Sequence, residues 1–201
     1  MGTRGIFGLR KNGKDKISYN HYDSSPNCLG EIMNDFVSDH DYDELSELFD
    51  RLQLVDERFR TSQFTDEQKE KYKEYLKRKD FFNHSIIDNA TGEDITMYQF
   101  LREYQGNLER YFEISEIDLM IDNSEFIKDS MICEWGYIIN LDSRVLEVWK
   151  GFQREPDTTN RYGQDEISGY YPCKLVLEIP FDEIRGSFSQ TISERFFREE
   201  I

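Results

Sequence analysis

Apolar positions recur at a period of two near both ends of this chain and at helical spacing through its middle. Residues 4–10 (RGIFGLR) alternate loosely around Ile6, Phe7 and Leu9, and Asn12-Gly13 follows. Asn-Gly between two extended runs predicts a β-hairpin, because a type I′ turn needs φ > 0 at both central residues. The returning arm, 16–23 (KISYNHYD), puts Lys16, Ser18, Asn20 and Tyr22 on one face. Ile17, Tyr19, His21 and Asp23 share the other. Ser24-Ser25-Pro26 stops this strand, since proline lacks an N–H and pushes the preceding residue towards extended geometry.

A second hairpin is expected far along the chain. Residues 131–140 are rich in β-formers (Ile132, Trp135, Tyr137, Ile138, Ile139), residues 141–144 turn, and 145–150 return in alternation. Residues 174–179 form the last clear strand, ended by Pro180.

Between the hairpins the spacing is helical. Leu29, Ile32, Met33 and Phe36 predict a buried stripe on a helix starting near Asn27, whose side chain suits an N-cap. Asp41 and Glu44 form a capping-box start ahead of Leu45, Leu48, Phe49 and Leu52. Thr65 and Gln68 form a second, with Phe64 as staple, on a helix running to about residue 79. Asp94 is expected to cap a helix carrying Met97, Tyr98, Leu101 and Tyr104, with Gly106-Asn107 as its stop. Residues 81–92 read as a connector, 108–121 fit either helix or strand, and 153–169 form a long polar loop. The tail 192–201 fits a short helix on Phe196 and Phe197. The sum is an α+β fold. Its mainly antiparallel sheet comes from the N-terminal and C-terminal hairpins, with acidic helices of residues 28–105 on one side. We expect a single domain over 1–201, in which 39–110 resembles a helical insertion.

Charge narrows the partners. The 201 residues include 41 acidic and 25 basic ones, a formal net charge of −16. That disfavours binding to nucleic-acid backbones and anionic membranes, and permits a basic protein surface. An aromatic content of 14% argues for a packed core beneath the charged skin. Lys69, Lys71, Lys73 and Lys77 interleave with the acids, so the acidic excess is expected to be spread out, not drawn into a duplex-like double row. No apolar run approaches the ~18 residues that span a bilayer, and no secretory leader is evident, so a cytoplasmic location is expected. Cys28, Cys133 and Cys173 are far apart and without a C-x-x-C pair, which suits reduced thiols and no metal. There is no P-loop, G-x-S-x-G, H-E-x-x-H or dinucleotide fingerprint, and no cofactor is expected.

The densest polar run lies at the first hairpin, and the candidate ligand-binding residues are Thr3, Arg4, Tyr19, Asn20, His21, Asp23 and Ser24. Arg4 is a fork donor suited to phosphate or carboxylate. With the turn at Asn12-Gly13, paired residues sum to about 25, which sets Arg4 across from His21. Two cationic groups side by side call for an anion or for Asp23 between them. The plainer alternative is that Arg4 pairs with Asp23 and His21 caps a backbone group. Gly5 and Gly8 mark either a ligand or a close backbone crossing. His40 between two aspartates suits a solvated helix start better than a metal site. Trp135, Tyr137 and Trp149 are core residues or, alternatively, a stacking edge.

The N-terminal pattern G-T-R-G-x-x-G, an N-G turn and then Y-N-H-Y-D-S-x-P-x-x-L-G resembles a group of phage and prophage accessory proteins. A weaker likeness lies in residues 137–142 (YIINLD). The resemblance implies a small phage protein in the host cytoplasm and no particular activity. A fainter likeness is to N-terminal-nucleophile hydrolases. The chain departs from them, because Gly2 has no nucleophile and Thr3 would lead only if Gly2 were also removed. Three functions follow as expectations. The first is an anti-defence protein that sequesters a small anionic, nucleotide-like metabolite or immune signal. The second is an acidic inhibitor or DNA mimic that blocks a host defence protein. The third is a hydrolase of a nucleotide-like signal, with His21 as base and Asp23 as its orienter.

Overall fold

A computed structural model describes residues 2–78, 95–184 and 188. The first hairpin joins β1 (Gly5–Lys11) to β2 (Lys14–Asn20). Asn12 and Gly13 have φ of 53° and 72°, the left-handed pair a type I′ turn requires. Asp142 accepts both turn amides, at 2.6 and 2.9 Å, and so ties this turn to the second hairpin. That hairpin is β5 (Trp135–Asn140) and β6 (Val145–Lys150), flanked by β7 (Lys174–Pro180).

The five strands form one sheet in the order β2-β1-β5-β6-β7. It is antiparallel except where β1 meets β5 in parallel, with Phe7 beside Tyr137 and Leu9 beside Ile139. Gly5 and Gly8 are tight backbone packing points. A Cβ on Gly5 would lie 2.3 Å from the Trp135 carbonyl oxygen, and one on Gly8 would lie 2.2 Å from that of Lys16. The fold is α+β, as the hydrophobic pattern implies.

Both faces of the sheet are covered. Helices cover one: α1 (Glu31–Asp39), α2 (Tyr42–Arg51), α3 (Asp66–Lys71), α4 (Lys73–Arg78), α5 (Met97–Phe100) and α6 (Arg110–Glu113). Their apolar residues merge with Phe7, Leu9, Tyr137, Ile139, Leu146 and Val148 into one core. A small parallel pair, β3 (Gln53–Val55) and β4 (Leu119–Ile121), lies within this layer and was not anticipated. The other face packs Ile6, Ile17, Ile138 and Trp149 against Ile127, Cys133 and Cys173.

Local signals place the helices well. Asp41 and Glu44 form a reciprocal capping box, as do Thr65 and Gln68. Lys16 Nζ donates to the carbonyls of Phe49 and Leu52 at the end of α2, where a cation complements the helix dipole. Three expectations shift. The segment from Pro26 to Gly30 is a π-helical turn with no side-chain cap, so Asn27 does not act as one. Its wider turn offsets the phase of α1. The buried face therefore runs through Met33, Asn34, Phe36 and Val37, and Ile32 is 45% exposed. The helix after Thr65 breaks at Tyr72, which turns inwards and donates to Asp118 at 2.5 Å. Thr96 caps α5, again with a capping box. Asp94, the 81–92 connector and the 192–201 tail lie outside the described residues.

The far face carries a buried ionic cluster. Glu147, in the middle of β6, is 1% exposed. Arg161, from the loop between β6 and β7, donates to both its oxygens at 2.8 and 2.6 Å. Asn140 Nδ2 and Trp149 Nε1 donate to the same carboxylate at 2.7 and 2.9 Å. The Arg161 guanidinium also lies over the rings of Trp149 and Tyr162 and near Asp15. This pair fastens the loop to the sheet.

Candidate functional site

The candidate site lies where the chain leaves β2 and turns into the π-helical turn. Asn20, the last residue of β2, is buried. Its Nδ2 donates to the Tyr22 carbonyl at 3.0 Å and to Ser24 Oγ at 2.9 Å, and its Oδ1 accepts from the Tyr22 N–H. Ser24 is fully buried; its N–H donates to the Thr3 carbonyl and its own carbonyl accepts from Tyr137 Oη. Asp23 accepts the Ser25 N–H at 2.8 Å. That bond, helped by the Ser25 and Thr3 hydroxyls, holds the Asp23 carboxyl below its ordinary range. Thr3, Asn20, Asp23 and Ser24 thus form a hydrogen-bonded corner.

Tyr19 and His21 point to the other side of this corner. Their rings meet edge to face at 6.3 Å. Tyr98, from α5, comes to meet them: its Oη lies 3.4 Å from His21 Nδ1 and accepts from Arg102 Nη1 at 2.5 Å. The Arg102 guanidinium covers the Tyr98 ring at 5.2 Å. Burial lowers the His21 pKa, and the Arg102 charge adds to that. Burial raises the Tyr19 pKa, while the charges of Arg4 and Arg102 pull it back. Among the described residues neither Arg4 nor Arg102 forms an ion pair with a carboxylate. Tyr19, His21, Tyr98 and Arg102 therefore make an aromatic rim that carries a cation, with Arg4 nearby in the chain, its backbone N–H donating to the Glu134 carboxylate at 3.2 Å.

A cleft of about 510 Å³ lies on the side of the corner, and none of Arg4, Tyr19, His21, Tyr98 or Arg102 lines it. Two chain segments wall it, Asn20, Tyr22 and Asp23 from one, Glu103, Gln105, Gly106 and Asn107 from the other, together with Cys28, Leu29 and Ile32. Arg110 also lines it, but is already paired with Glu103 at 2.8 Å and with Glu113. Gly106, at φ +70°, brings the walls together: a Cβ there would lie 2.3 Å from Asn20 Oδ1.

The hairpin register has the expected sum, with Gly5 paired to Asn20. It ends there, one pair short of Arg4 and His21. The Arg4 carbonyl instead accepts from the N–H groups of Glu134 and Trp135. No hydrogen bond joins His21 to Asp23 among the described residues, so the base-and-orienter dyad is not assembled. The seven expected site residues thus divide: Tyr19 and His21 belong to the rim with Arg4 nearby in the chain, Asn20 and Asp23 to the cleft, and Thr3 and Ser24 to the corner behind. Sequence reasoning missed Tyr98, Arg102 and Gln105. Tyr98 looks like core on a helical stripe, and Gln105 carries no local signal beyond the glycine after it.

His40 stacks on Phe112 at 4.2 Å and contacts Glu44 and Glu109. No group of three metal-ligating side chains comes together among the described residues, and no helix there is long and apolar enough to cross a membrane. Comparisons of this chain with protein-family models, curated proteins and solved structures gave no match.

Proposed function

We propose that this protein binds and sequesters a small anionic, nucleotide-like molecule at the junction of residues 19–23 and 98–107. The observation that carries this reading is the Arg102 guanidinium, without a carboxylate ion pair among the described residues, held on Tyr98 beside His21 and Tyr19, with the Arg4 charge also acting on Tyr19. In a chain of net charge −16, such a spot concentrates positive potential where the rest of the surface repels anions. Guanidinium forks suit phosphate or carboxylate, and tyrosine rings beside them suit a flat or sugar-bearing ligand. In the phage setting that the N-terminal pattern resembles, the ligand is a nucleotide-like signal of host defence, and binding removes it from circulation. The His21–Asp23 hydrolase draws no support from the geometry. Net charge favours a second reading, an acidic surface that covers a basic host protein, but that leaves the rim without a role.

The test is mass spectrometry of small molecules released from protein purified after exposure to an extract of phage-infected cells. An anionic compound enriched on wild type and lost on Arg102→Ala is expected. No compound enriched over the variant overturns the reading.

A further inference from the structure

The loop between β6 and β7 brings apolar side chains to the surface and holds them there. Met131, Phe152 and Ile167 are 48%, 51% and 37% exposed, and none joins either core. Backbone contacts draw them together. The Phe152 N–H donates to the Ser130 carbonyl at 2.8 Å, and Ser130, itself fully buried, directly precedes Met131. The Phe152 ring meets that of Tyr170 at 6.3 Å, and Tyr170 exchanges backbone hydrogen bonds of 2.8 and 3.0 Å with Ile167. Arg154 staples the loop. Its Nη1 donates to the Gly169 carbonyl at 3.1 Å, and its guanidinium lies 3.7 Å over the Tyr170 ring.

Phe152 costs the fold twice. It shows half its surface to water, and its φ of 59° lies in the left-handed region that bulky side chains rarely adopt. Such strain persists where the surroundings enforce it, and it concentrates at functional sites. Apolar groups gathered inside a polar border mark interaction surfaces. Methionine, aromatic residues and arginine, the types found here, are also those that protein interfaces favour.

Charge selects the partner. Glu155, Asp165 and Glu166, all exposed, border the apolar residues on the loop, and Asp129 and Glu134 flank Met131 in the chain. None of the five is held in an ion pair among the described residues. The cations close by, Arg154 and Lys150, lie over the rings of Tyr170 and Trp135. An acidic partner, or a second copy of this chain with its net charge of −16, is repelled. We propose that this surface docks a basic protein segment, which sets an apolar side chain against Phe152 and Met131 while its Lys or Arg residues meet Glu155, Asp165 and Glu166. The surface shares no residue with the rim or the cleft, so it stands independently of the anion-binding reading.

The test is selection of an mRNA-displayed random peptide library on the immobilised full chain, with the Phe152→Gly chain as counter-target. Glycine accepts the left-handed backbone, so this variant is expected to melt within a few degrees of wild type. Peptides enriched on wild type are expected to carry Lys or Arg around an aromatic or aliphatic residue. In fluorescence polarisation the best of them should bind Phe152→Gly about tenfold or more weakly, the scale of an interface anchor, and should lose affinity as salt rises. Enriched peptides without a basic bias, binding that ignores salt, or no peptide enriched over the counter-target overturns the proposal. A wild-type dimer that Phe152→Gly makes monomeric also overturns it and assigns the surface to a second copy. So does a melting temperature for Phe152→Gly far below wild type, because Phe152 is then a packing residue.

Discussion

Gly106→Ala tests the joint between the two walls of the site. Its left-handed backbone, φ +70°, costs an alanine about 1–2 kcal/mol. The added Cβ would also lie 2.3 Å from Asn20 Oδ1 and 2.9 Å from Asn20 Cγ. That amide cannot simply swing away, because its Nδ2 holds the Tyr22 carbonyl and Ser24 Oγ in a buried corner. Displacing it leaves buried polar atoms unpaired, at about 1–3 kcal/mol. The expected total is about 2–5 kcal/mol, a large share of the roughly 5–15 kcal/mol that stabilises a domain. Urea unfolding followed by circular dichroism measures it. The clash is specific to Asn20, so in an Asn20→Ala background the same substitution should cost only the backbone part, about 1–2 kcal/mol. A cost below about 1 kcal/mol, or one equal in both backgrounds, would refute the described contact.

Arg161→Met should lower stability by about 3–5 kcal/mol, because it strands the buried Glu147 carboxylate, and Glu147→Leu added to it should recover much of the loss in the same unfolding assay. Lys71→Ala acts through Asp118: burial raises that carboxyl's pKa, but hydrogen bonds from Lys71 and Tyr72 outweigh burial and hold it below 3.8. A depressed carboxyl stabilises the fold above its unfolded pKa and loses that contribution as pH falls through the folded value, so the variant's deficit, about 1 kcal/mol for this part-exposed lysine, should be present at pH 7 and shrink below about pH 3.8. Thiol labelling of the native protein should modify Cys28, which lines the cleft, well before Cys133 and Cys173, which are fully buried and reachable only on unfolding; simultaneous labelling of all three would contradict the core packing.

What could be read from sequence was what short-range chemistry decides. The Asn12-Gly13 turn, the Asp41 and Thr65 capping boxes and the 145–150 alternation each depend on residues within a few positions, and each appears where expected. What could not be read depends on distant partners. The β1–β5 pairing joins residues 130 apart, and nothing local in 4–10 specifies a parallel neighbour. Tyr98 reaches His21 across 77 residues, so the rim is invisible in the hairpin alone. One long-range partner does leave a trace in the local sequence. Glu147 shares its strand face with Val145 and Trp149, and a carboxylate between two apolar neighbours on a buried strand calls for a cation from elsewhere. Arg161 supplies it from a stretch that reads only as polar loop.

The central claim, an anion site at the Arg102 rim, has a built-in reporter. Burial and Arg102 lower the pKa of His21, so its imidazole should titrate below the ordinary 6.5 in the free protein. Such a depression favours the neutral form in the fold, and stability should rise with pH through the window just under 6.5. An anion bound at the rim offsets the Arg102 charge and must raise that pKa, and by linkage it must bind more tightly as pH falls through the same window. The decisive measurement is therefore the NMR titration of the His21 ring with and without a nucleoside monophosphate. The account predicts a depressed pKa that rises on adding nucleotide, with the rise reduced in Arg102→Ala. A His21 pKa at 6.5 that ignores millimolar nucleotide, with wild type and Arg102→Ala behaving alike, would contradict it.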